Sequence, residues 1–232
     1  MPFLRFCTLL LAAALCACAG TPASTIEVAD SGVVPAVRVV IVQGNQPSET
    51  GSGGAVELLA TGFKGRATQT LSGSQLPVRF ENRTFSGPVE LSNDFGFRYL
   101  EAAYRLRGVH RETGLGIEGM IGAGYGQLDL TVVSPSQSVT GSFSAGALVT
   151  GLGVLWQMRP GTVVEARYVY SEFVSVDISS ARRAELVLAQ SLHKNLGVRA
   201  GYASWRIDRD VSSGSNYILR FSGPALGLDL IF

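Results

Sequence analysis

The chain has little of what most functional classes need. Its three cysteines, Cys7, Cys16 and Cys18, all fall in the first 18 residues, so the remainder holds neither a disulfide nor a thiolate metal site. There are two histidines, and only 16% of residues are charged. A formal net charge of +1 gives no electrostatic case for nucleic acid or an acidic partner. Past the N-terminal segment, no apolar run approaches the roughly 20 residues of a membrane-spanning helix. Helical periodicity is also scarce, whereas the 28 glycines and the strand-sized apolar segments point to an all-β chain.

What is present begins with "MPFLRFCTLLLAAALCACAGTPAST", with one cation at Arg5, an apolar stretch from Phe6 to about Ala17 and small residues after it. This is the pattern of a secretory signal. Leu15-Cys16-Ala17-Cys18 resembles a bacterial lipobox, which would make residues 1–17 the signal and Cys18 a lipidated N-terminus. Ala17-Cys18-Ala19 also fits ordinary small-x-small cleavage before Gly20. Residues 18–32 read as a polar linker, and 33–232 as one β domain in which 44–92 resist parsing.

From Phe95 onward strict alternation sets in. Leu100, Ala102, Tyr104 and Leu106 share one face, and Glu101, Ala103 and Arg105 the other. Leu115, Ile117, Ile121, Ala123 and Tyr125 oppose Glu118 and a row of glycines. The apolar row continues through Leu148, Leu152, Val154 and Trp156. Val164, Ala166, Tyr168 and Tyr170 then oppose Glu165 and Arg167, while Ala184, Leu186 and Leu188 oppose Arg183 and Glu185. Leu196, Val198, Ala200 and Tyr202 oppose Arg199, and the last strand, "ALGLDLIF", sets Leu226, Leu228, Leu230 and Phe232 against Asp229. Short links ("GVHRETG", "RPGT", "HKN") alternate with longer polar ones ("TVVSPSQSVTGS", "VSVDISS", "RDVSSGSN"). Strands of about ten residues, apolar on one face and joined in this lopsided way, are the signature of a transmembrane β-barrel, whose outward face meets lipid and whose short turns face the periplasm.

The expectation is therefore an antiparallel up-and-down barrel of eight strands, or ten if residues 35–90 join the wall. Its charged row (Glu101, Arg105, Glu118, Glu165, Arg167, Arg183, Glu185, Arg199 and Asp229) points inward as a mutually neutralising network, because a small barrel is filled by its own side chains. Tyr104, Tyr125, Trp156, Tyr168, Tyr170 and Tyr202 are expected to face outward. Neither His110 nor His193, both in short turns, sits where an external substrate could be reached. No nucleophile elbow occurs. "GAGYG", residues 122–126, lacks the lysine and helix of a phosphate loop and reads instead as small inward positions. No cofactor or metal is implied.

On these residues the chain resembles the small OmpA-like and OmpX-like barrels of Gram-negative outer membranes. Gly227, Leu230 and Phe232 fall at the spacing of the C-terminal signal read by the barrel assembly machinery, with Ala225 where that signal usually has a polar residue. The resemblance implies an outer-membrane location, with membrane lipids and the assembly machinery as partners. It also implies a non-enzymatic role in surface interaction or envelope integrity, and names no external partner. A periplasmic lipoprotein with a lipocalin-like barrel and an apolar ligand is the competing reading; it would turn the apolar row inward.

Overall fold

The computed structural model describes residues 25–43, 53–73, 76–174, 178–210 and 215–232. These residues are all-β, and among them there is no helix. Twelve strands occur in chain order. They are β1 (Thr25–Ser31), β2 (Val34–Gln43), β3 (Gly53–Leu71), β4 (Val78–Phe80), β5 (Arg83–Phe85) and β6 (Val89–Val109), followed by β7 (Leu115–Val133), β8 (Ser138–Arg159), β9 (Thr162–Phe173), β10 (Ser180–His193), β11 (Leu196–Arg209) and β12 (Asn216–Ile231).

One ten-stranded sheet runs β1-β12-β11-β10-β9-β8-β7-β6-β3-β2, and β12 also pairs with β2, so the strands ring round. From β2 to β12, neighbours in the ring are antiparallel. The closing pairs are not: β1 and β2 both run parallel to β12. The up-and-down expectation thus fails at the seam. An offset of 191 residues holds from Thr25 beside Asn216 to Val40 beside Ile231, so β1 and β2 form one line interrupted at Gly32 and Val33.

Two sequence boundaries need correction. Residues 25–31 are a strand and not part of a linker, because Ile26 and Val28 alternate into the buried interior. The segment 44–92 contains β3 and a small β4–β5 hairpin as well as the start of β6, while 44–52 lie outside the described residues. The expected long loop "TVVSPSQSVTGS" is mostly strand. Leu130 and Val132 turn inward to the apolar interior, and the Thr131 and Thr140 hydroxyls meet at 2.9 Å across the ladder, leaving a turn of residues 134–137.

At one end the connections among the described residues are 110–114, 160–161 and 194–195, and the link between β2 and β3, 44–52, which lies outside them, joins strands at this same end. The other end carries 72–88, 134–137, 174–179 and 210–215. The β4–β5 hairpin caps the interior at this second end. Its Val78, Phe80 and Phe85 are buried, and Phe80 meets Tyr217 edge-on at 5.5 Å. Arg209 stacks over Phe143 at 4.1 Å and pairs with Glu81 at 3.1 Å. Glu81 itself has φ 52, as a two-residue hairpin tip requires.

The seam depends on Gly223. A Cβ there would lie 2.0 Å from the Gly32 carbonyl oxygen. Gly223→Ala is therefore expected to push β1 and β2 off β12 and cost about 1–3 kcal/mol in denaturant unfolding. Gly146→Ala, whose new methyl meets nothing closer than 3.9 Å, should cost nothing.

Candidate functional site

The interior divides into two storeys along the same inward rows. In β6 the inward residues Phe95, Phe97 and Tyr99 give way to Glu101, Ala103 and Arg105. The outward row changes in the opposite sense at the same place, from Asp94 and Arg98 to Leu100, Tyr104 and Leu106. β7 repeats this: Leu128 and Leu130 inside lie beside outward Gln127 and Asp129, while Glu118 inside lies among outward Leu115, Ile117, Ile121 and Tyr125. β11 does the same, with Trp205 and Ile207 inside the polar-coated part and Arg199 inside the apolar-coated part.

The lower storey, toward the short turns, is a network of ionic side chains. Arg167 lies near its centre, its Nη1 donating to Glu57 at 2.8 Å and its Nε to Glu118 at 2.6 Å. Glu57 also accepts from Arg38 at 3.1 Å and from Arg105 at 2.9 Å. Arg38 forks onto Asp229 through Nε at 2.9 Å and Nη2 at 2.7 Å, a bidentate geometry that fixes both groups. Arg107 bridges Glu118 and Glu165, and Arg199 reaches Glu165 at 2.8 Å and Asp229 at 3.2 Å. Arg183 pairs with Glu101 at 3.1 Å and Glu185 at 3.2 Å, and its guanidinium stacks 5.2 Å from the Trp205 ring. That stack joins the two storeys.

All nine expected network residues are therefore in contact with it. Sequence reading missed Arg38, Glu57 and Arg107. With them, six arginines (Arg38, Arg105, Arg107, Arg167, Arg183, Arg199) face six carboxylates (Glu57, Glu101, Glu118, Glu165, Glu185, Asp229). The floor has no net charge.

The upper storey is aromatic and aliphatic. Phe63 stacks on Phe221 with centroids 4.5 Å apart and tilts against Phe97 and Trp205. Tyr99 hydrogen-bonds Ser171 at 2.7 Å. Burial pushes the Tyr217 hydroxyl well above its ordinary range. Gly124 and Gly126 point inward as expected, and a Cβ on either would strike the Tyr99 hydroxyl or the Phe173 ring.

Tyr104, Tyr125, Trp156, Tyr168 and Tyr202 are exposed on the apolar-coated outside. Tyr170 stands on the outward row at its polar edge, donating to Glu172 and lying under Arg182. Phe232 is exposed, and its amide donates to Val40 at 2.9 Å. Leu230 lies on the outward row and is half-buried. Gly227 has a packing reason of its own, since a Cβ would meet the Arg199 stem and the Ala36 carbonyl below 3.0 Å. His110 contacts Thr113 in its turn, and His193 ends β10. Cys18 lies outside the described residues. Among the described residues no three His, Asp or Glu side chains are placed to hold a metal.

Fold and site define an all-β protein whose sheet rings round a charge-paired floor and an apolar, hairpin-capped roof. No protein-family model, curated protein or solved structure matches the chain.

Proposed function

We propose that the chain is a non-enzymatic outer-membrane β-barrel of a Gram-negative bacterium, with a closed, charge-paired lumen, acting in surface interaction or envelope integrity. The observation that carries this reading is the reversal of inside and outside along single strands. A water-exposed sheet that buries its apolar face needs no charged interior. Here the lower half wraps twelve ionic groups in a coat led by Leu152, Ile117 and Leu148, an arrangement that is favourable only if the coat faces hydrocarbon. On β7 this coat runs from Leu115 to Tyr125. Ten strand steps at the tilt of membrane barrels rise about 25 Å, the height of their apolar band. The upper half has the ordinary polarity of a water-exposed barrel and stands clear of the lipid.

The lipocalin-like alternative is weakened by the same pattern. Apolar interior exists only in the upper storey, where the protein's own rings occupy it, Phe63 on Phe221 among them.

Lipids of the outer membrane are then the partner of the belt, and the assembly machinery that of the strand ending in Leu230 and Phe232. Cell fractionation tests the reading. The protein is expected to sediment with outer membranes and to migrate faster on gels when unboiled. Recovery in the soluble periplasmic fraction without heat-modifiable mobility would overturn it.

A further inference from the structure

The parallel seam has a consequence for sidedness. In a ring of alternating strands with an even count, both chain ends emerge on one side. Here β1 and β2 descend together with β12, from Thr25 beside Asn216 to Val40 beside Ile231. Thr25 thus stands at the hairpin-capped rim, and Phe232 at the rim of short turns, where its amide meets Val40. The placement of β1 is supported by side chains as well as by the ladder. Ile26 and Val28 are buried in the upper storey, and Glu27 pairs with Arg220 of β12 at 2.7 Å. On the other edge, Asp30 accepts the Arg66 amide of β3 at 2.6 Å.

Resting on the membrane reading above, we propose that the chain enters its sheet from the cell exterior, so that Thr25 and Phe232 lie on opposite faces of the outer membrane. The upper storey has a polar coat and an apolar core, which suits water and not lipid, and it carries the longest connection, 72–88 with its β4–β5 hairpin, the kind that in membrane barrels faces outward. Whatever precedes Thr25 therefore leaves the sheet at the outer rim. Position 18 is seven residues away, a reach of about 25 Å when fully extended. That is less than the roughly 30 Å of bilayer hydrocarbon. A lipid carried there would enter the leaflet next to this rim and not the opposite one.

Single-cysteine labelling in intact cells with a membrane-impermeant maleimide tests the proposal. Glu27→Cys on β1, Asn82→Cys at the hairpin tip and Glu112→Cys in a short turn are all at exposed positions. The expected result is strong labelling of the first two and background labelling of Glu112→Cys until the envelope is opened. Background labelling at Glu27→Cys beside strong labelling at Asn82→Cys would overturn the proposal while leaving the membrane reading intact. Labelling of Glu112→Cys alone would overturn it by reversing the orientation. Protection of all three in intact cells, with the protein recovered soluble, would defeat the membrane reading and this proposal with it.

Discussion

Replacing Arg167 with alanine is expected to destabilise the protein by about 3–5 kcal/mol, because it strips a buried network of its central cation and leaves carboxylates uncompensated. Arg167 is 5% exposed and contacts Glu57 and Glu118, with Glu165 at 3.7 Å. The loss would be smaller if water follows the deleted side chain into the floor, and the variant should then show a small leak in planar bilayers that the wild type lacks. Removing Glu118 at the same time restores the balance of charge and leaves Arg107 its second partner, Glu165. The double variant should therefore lose less than the two single variants summed, a coupling that a double-mutant cycle reads directly. Leu186→Ala on the outward face should leave conductance unchanged.

Leu152→Arg should be as damaging for a different reason. Leu152 is 74% exposed and lies midway along the apolar coat of β8. In water such a change would be neutral or would help solubility. At the midplane of a bilayer it costs about 2–4 kcal/mol and should lower the yield of inserted protein. Thr140→Arg, on the outward row of the same strand but in the polar-coated half, should insert normally. The pair of variants turns the position of the polarity switch into a measured quantity.

Much of the lower storey was legible from strict alternation, because each strand there sets bulky aliphatics against ionic or small residues. Arg38 and Glu57 escaped notice for want of neighbours of their own kind. Each is a lone charge in an apolar strand ("PAVRVVIV", "AVELLA"), and their inward parity shows only once β2 and β3 are in register. The upper storey is harder to read because its outward residues, such as Lys64, Arg66, Thr140 and Ser142, have the composition of loops. The parallel seam left no mark in composition or periodicity; it follows from which edge β1 and β2 find on closing. That β2 and β3 widen the ring does not open it, since Arg38, Glu57 and Phe63 fill the added space.

The two tryptophans allow the most direct test of the membrane claim. Trp156 faces outward in the apolar coat and is 46% exposed, whereas Trp205 is buried in the upper storey at 2%. In vesicles of acyl-brominated lipid, a Trp205→Phe variant carrying only Trp156 is expected to lose most of its fluorescence to bromine quenching. A Trp156→Phe variant carrying only Trp205 should lose almost none. Equal, negligible quenching of both would contradict a lipid-facing coat, and quenching of Trp205 alone would contradict the inward and outward assignment on which it rests.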